Sequence, residues 1–114
     1  MLEDDRKAIK ECLYVINHIF EYTEGITDLE DLINDSKTYD AVLMNFLVLG
    51  ESSSKLSTEL RDKMPKTDWR AIKGFRNFIA HQYFGVDENI LWSALHFHLP
   101  QLKQDFETLL AQHS

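Results

Sequence analysis

Cysteine is nearly absent from this chain of 114 residues: Cys12 stands alone, so no intrachain disulfide and no metal-type cysteine spacing exist. A lone thiol suits a reducing compartment. Long apolar runs are missing as well. The longest, from Ala41 to Leu49, is interrupted by Asn45 and is far too short to span a bilayer. The N-terminus, Met1-Leu-Glu-Asp-Asp-Arg-Lys, is acidic and lacks the basic-then-apolar layout of a signal peptide. The expectation is a soluble, cytoplasmic protein that makes no membrane contact. No segment sustains the alternation of a strand, and neither an internal repeat nor a low-complexity tract occurs. With 44% apolar residues the chain can form one domain over residues 1–114 with a real core. A domain of this size still exposes much of its surface, which a partner subunit would help to cover.

Signals for bound metal or nucleotide are also lacking. Metal sites in helical bundles take Glu-x-x-His from facing helices, and none of the five histidines has an acid three residues earlier. His96 and His98, two apart, diverge on a helix. Ser52-Ser53-Ser54 has no partner base in sequence, and there is no glycine-rich phosphate loop. No cofactor and no metal is therefore expected. Positive charge is scarce: the net charge of −7 argues at first sight against a nucleic-acid ligand. The distribution softens this. Between Lys55 and Arg76 seven basic residues face three acids, a local balance of +4, so the remainder of the chain carries −11.

What the sequence does contain is helical spacing. Ile9, Leu13, Ile16 and Phe20 recur at steps of four and three, predicting a first helix that Gly25 stops. Thr27-Asp-Leu-Glu30 has the form of a capping box and opens a short second helix through about Ile33. Val42, Phe46, Leu49, Ser53, Leu56 and Leu60 predict one long, central helix from near Thr38 to Lys63, ended by Pro65. Thr67 or Asp68 caps a further helix with Trp69, Ile72, Phe75 and Ile79 on its inner face, stopped by Gly85. Asp87-Glu88 open the last helix, lined by Leu91, Leu95, His98, Leu102, Phe106 and Leu109 and kinked at Pro100. His98 reads there as a core-edge histidine and Cys12 as a buried structural thiol. The fold class is all-α: an up-and-down four-helix bundle with one short extra helix.

The stretch that carries chemistry is 69–85, Trp-Arg-Ala-Ile-Lys-Gly-Phe-Arg76-Asn77-Phe-Ile-Ala-His81-Gln-Tyr83-Phe-Gly. Within eight positions it holds a permanent cation, a group that titrates near neutrality, an amide and a phenol. RNA is cut without metal when its own 2′-hydroxyl attacks the adjacent phosphorus. That reaction needs a base for the hydroxyl proton, an acid for the leaving oxygen and a cation for the phosphorane charge. Histidine suits the proton transfers, and the arginine fork can hold two phosphate oxygens. On a regular helix Arg76 and His81 lie about 140° apart, whereas Asn77 and His81 share a face, as do Arg76 and Tyr83. Either the helix ends or distorts around His81, or a second subunit supplies converging groups. A two-fold dimer would also provide the second acid–base group, so the geometry favours an interface site.

The run Leu49-Gly-Glu51, then Pro65, Trp69, Ile72, Gly74-Phe-Arg76-Asn77, His81-Gln-Tyr83, Val86-Asp87 and Trp92, resembles the HepT family of the HEPN superfamily over roughly residues 49–110. The family signature (Arg, four residues, His, any residue, Tyr) stands here as Arg76, His81 and Tyr83, with the superfamily's Asn at position 77. Ser52 occupies a position that is often alanine in the family, and Gln82 a variable one.

The resemblance implies a HEPN-like bundle and a metal-independent endoribonuclease toxin, dimeric, with the motif lining a cleft between subunits. His81 would be the general acid/base, Arg76 the phosphate and transition-state clamp, and Asn77 an orienting group. Glu51 would hold Arg76 or the partner's motif in place. It further implies an antitoxin partner, a small nucleotidyltransferase of the MNT type that attaches AMP to Tyr83, adding bulk and charge where RNA phosphate must sit. The rival function is a non-catalytic helical binding partner that docks a nucleotidyltransferase and positions its substrate, as some HEPN relatives do.

Overall fold

A computed structural model of the chain describes residues 1–81 and 85–113, with the backbone alone given at 75 and 78–81. The described residues form helices and connecting loops: α1 (Glu3–Tyr22), α2 (Leu29–Asn34), α3 (Ser36–Ser53), α4 (Thr58–Asp62), α5 (Trp69–His81), α6 (Glu88–Ser93), a π-helical turn (Ala94–His98) and α7 (Leu99–Gln112). α1, α3, α5 and the α6–α7 pair are the four main elements of the HEPN-like bundle. α3 is the central helix, packed against α1 on one side and α5 on the other, while α7 returns against α1. Among the described residues no helix is long and apolar enough to cross a membrane.

The core follows the apolar spacing. Ile9, Cys12, Ile16 and Ile19 of α1 are fully buried against Val42 and Leu43 of α3 and Phe106 of α7 in one continuous cluster. Leu13 and Phe20, expected on the same stripe, lie at its edge, half-buried. Gly25 takes φ +85° in the turn after α1, a left-handed conformation that costs a glycine nothing.

Burial pushes the Cys12 thiol up to about 12 from an ordinary value near 9, with the Glu11 carboxylate adding to the rise. Above pH 9 the unfolded chain therefore loses a proton that the folded chain keeps. Stability is unaffected by this group below about pH 8 and declines between about 9 and 12, by at most about 1.4 kcal/mol per pH unit. Urea titrations at pH 8 and pH 10.5 should show this loss in the parent and its removal in Cys12→Ala, over whatever decline the two share.

Three sequence expectations need correction. The cap of α2 is Asp28, not Thr27: the Asp31 amide donates to Asp28 Oδ1 at 2.8 Å, and Thr27 Oγ1 donates to Asp31 Oδ2 at 2.8 Å. A carboxylate at this position also meets the positive end of the helix dipole, which a hydroxyl does not.

The long central helix is in fact two. It breaks between Ser53 and Thr58, well before Pro65. Ser53 Oγ and Ser54 Oγ donate back to the carbonyls of Gly50 (3.1 Å) and Glu51 (2.6 Å), a local competition that weakens a helix. Arg61 Nη2 then caps the freed carbonyls of Ser53 and Ser54 at 3.3 and 3.0 Å. Buried Asp5 fixes the restart by accepting from the Ser57 amide at 2.8 Å and from Ser57 Oγ at 2.6 Å, while Ser57 caps α4. Leu56 and Leu60 still reach the core. Asp5→Ala strands both Ser57 donors and should cost about 3 kcal/mol. For a chain of this length that is a fall of roughly 10 °C in Tm, read by thermal melting.

Pro100 does more than kink the last helix. Its ring cannot sit against the carbonyl four residues earlier in a regular α-helix, and the chain widens into the π turn just before it. The extra residue shifts the register. Leu99 is buried where His98 was expected, and His98 is exposed.

Candidate active site

The site forms where α5 crosses the last turns of α3. Helices approach closely only where one presents a small residue, and here that residue is Gly50: a Cβ placed on it would overlap the Arg76 Cβ and lie 2.7 Å from the Arg76 Cγ. The close crossing sets Arg76 beside Glu51, the next residue of α3. Arg76 Nε donates to Glu51 Oε1 at 2.7 Å, and Arg76 Nη2 donates to the same oxygen. Arg76 Nη1 donates to Asn77 Oδ1.

Arg76 is thus gripped on two edges. Of the five N–H donors of a guanidinium, Nε, one on Nη2 and one on Nη1 are engaged. Among the described residues one remains on each terminal nitrogen. The side chain is about one-third exposed and that of Glu51 one-half, so the free donors can meet a ligand from solvent. The arrangement can present a fixed, bidentate cation to a phosphate.

Of the residues picked out by sequence, Glu51, Arg76 and Asn77 come together. His81 is the last residue of α5; the helical backbone extends to it unbroken, so positions 76 and 81 lie about 140° apart around the axis. Its side chain lies outside the described residues, and so does Tyr83 entirely. Gly50 is the residue that sequence reasoning did not single out as part of the site. The available signal was a glycine inside a helix, a choice that costs about 1 kcal/mol relative to alanine and calls for a packing reason.

Comparison with known proteins places the chain in a family. The family model described as "HepT-like: Ribonuclease HepT-like" matches residues 12–109. A protein of Methanocaldococcus jannaschii named "Putative RNase MJ1380" is 31% identical over 106 residues, covering 90% of this chain and 96% of its own length. A protein of Thermococcus cleftensis named "Probable ribonuclease HepT" is 31% identical over 109 residues, covering 96% and 98%. A third, from Caldanaerobacter subterraneus and named "Putative RNase TTE0752", is 29% identical over 102 residues, covering 90% and 87%. No solved structure gives a significant match.

Proposed function

Because the chain belongs to the HepT-like ribonuclease family, we propose that it is a metal-independent endoribonuclease toxin, acting over residues 1–114 as one unit in the cytoplasm. The observation that carries this reading is the grip of Glu51 and Asn77 on a partly exposed Arg76, which among the described residues leaves two N–H donors for a phosphodiester. The RNA 2′-hydroxyl attacks the neighbouring phosphorus, the P–O5′ bond breaks, and the products are a 2′,3′-cyclic phosphate and a 5′-hydroxyl. Arg76 takes the charge that builds on the equatorial oxygens. His81 moves the protons.

One histidine cannot take the hydroxyl proton and protonate the leaving oxygen in the same step. With positions 76 and 81 on separate sides of an unbroken helix, a homodimer that joins two motifs across a cleft supplies the converging groups. Tyr83, two residues beyond His81, is the site at which an MNT-type nucleotidyltransferase antitoxin attaches AMP. The bulk and negative charge then exclude RNA.

The test is incubation of the protein with total RNA in EDTA beside His81→Ala. Wild-type cleavage, with cyclic phosphate ends and at least 100-fold loss in the variant, is the expected result. Equal cleavage by both proteins would sink the assignment of His81. Cleavage that needs added magnesium would sink the mechanism. Light scattering should give twice the chain mass of 13.4 kDa.

A further inference from the structure

Outside the Arg76 site the most unusual surface is the solvent face of α1. Lys7, Lys10, Tyr14, His18 and Tyr22 recur there at steps of three and four, a stripe about 22 Å long. Tyr14 is 64% exposed, a large ring left in water. It is braced rather than covered: its centroid lies 4.2 Å from that of His18, which in turn lies 5.7 Å from Tyr22. Between this face and the end of α3 runs an open groove of about 710 Å³, lined by Lys7, Lys10, Tyr14 and Val48 and reaching Glu51. Since Glu51 both lines the groove and grips Arg76, the groove borders the active site.

Its charges are unequally committed. Glu3 faces Arg6 at 3.8 Å, Glu11 pairs with Lys55 at 3.2 Å, and Glu51 pairs with Arg76. The Lys55 ammonium holds the Glu11 carboxyl below its usual range, so that pair stays formed at neutral pH. Every acid lining the groove thus has a cationic partner, whereas Lys7 and Lys10 form no ion pair among the described residues. On a chain of net charge −7 the groove keeps two cations outside any ion pair beside an exposed aromatic ring, with Lys7 also drawing on the Glu11 carboxylate at longer range. Lysines for phosphates and an open ring for a base are the two elements of single-strand binding. A duplex, whose bases are already stacked on one another, has no use for the ring.

We propose that the α1–α3 groove holds the single-stranded RNA flanking the scissile phosphate, with Lys7 and Lys10 taking phosphates and Tyr14 stacking an unpaired base. The proposal rests on the ribonuclease reading and adds to it the strand form of the substrate and the path by which it enters.

The probe is a short, fluorescent RNA with 2′-O-methyl groups throughout, which cannot be cut by 2′-hydroxyl attack. Anisotropy titrations would compare the parent chain with Tyr14→Ala, Lys7→Ala/Lys10→Ala and Lys103→Ala. Lys103 is the control for loss of a lysine elsewhere on the surface, because its ammonium lies over Phe20, away from the Tyr14 face. The expected results are about a ten-fold weaker Kd for Tyr14→Ala and a log Kd versus log salt slope shallower by about 1.4 for the lysine pair. Lys103→Ala should match the parent, and a duplex of the same sequence should bind more weakly than the single strand.

A parent that cleaves RNA, with Tyr14→Ala and the lysine pair binding as the parent does, overturns the groove assignment alone. A parent that neither binds nor cleaves overturns the ribonuclease reading along with it. If Tyr14→Ala halves the mass seen by light scattering at unchanged affinity, the face is a contact between copies of the chain, and the RNA assignment fails.

Discussion

Arg76→Lys is expected to lower kcat/KM for RNA by about 10²- to 10³-fold, equivalent to about 3–4 kcal/mol of transition-state stabilisation. Arginine is gripped by Glu51 and Asn77 and, among the described residues, still has one N–H free on each terminal nitrogen. A lysine ammonium has three donors on one atom. If it pairs with Glu51 it sits beside the carboxylate, and a phosphate approaching it meets a half-neutralised charge from the wrong direction. If it turns to the phosphate, Glu51 is left as an unpaired anion next to the substrate. Arg76→Ala realises that second case fully and should be at least as damaging. Glu51→Ala is milder, about ten-fold, because the cation persists but loses its fixed aim, and the effect should fall mainly on kcat. None of the three should move Tm by more than a few degrees, since an ion pair this exposed contributes less than about 1 kcal/mol to folding. A lysine variant that cleaves at the parent rate would remove Arg76 from the mechanism. One that is slow but also melts far earlier would turn the clamp into a structural tether.

How much of this was legible in the sequence depends on the range of the forces involved. The bundle was, because the apolar spacing of 9–20 and 42–60 is a local record of which residues face inward, and those faces are the ones buried. Cap positions were legible to within a residue for the same reason: Asp68 and Asp87 satisfy amides two or three residues away. The break in the central helix was not. Spacing through Leu56 and Leu60 continues across it, and what stops the helix includes Asp5, 52 residues distant in sequence from Ser57. The shift from His98 to Leu99 was also hidden, since a proline announces a distortion but not whether the chain kinks or inserts a residue. At the site, the sequence offered Glu51 as a holder of Arg76 or of the partner's motif without deciding between them. The meeting of Glu51 with Arg76 depends on the crossing of α3 and α5, and so does the reason for a glycine at 50.

Gly50→Ala isolates that crossing. Glycine to alanine within a helix ordinarily stabilises by about 0.5–1 kcal/mol, because alanine loses less backbone entropy on folding. At Gly50 the sign should reverse. The new methyl overlaps the Arg76 Cβ and crowds its Cγ, and a Cβ, unlike the tip of a side chain, can move only if its helix moves. Forcing α5 away from α3 carries an overpacking cost that outweighs the propensity gain, for a net loss of about 2–3 kcal/mol and a fall of roughly 10 °C in Tm. The same displacement moves Arg76 relative to Glu51, so cleavage should drop about 100-fold even at temperatures where the variant is fully folded; a misplacement of about 1 Å can have that effect. Gly74→Ala is the internal control. It lies on α5, two residues from Arg76, but a methyl there meets nothing within 4 Å among the described residues, so the ordinary gain should appear, with cleavage unchanged. Opposite signs at the two glycines, measured by thermal melting and initial rates, would establish the crossing as the device that builds the site. A stabilised, fully active Gly50→Ala would show that α3 and α5 stand further apart than this geometry requires.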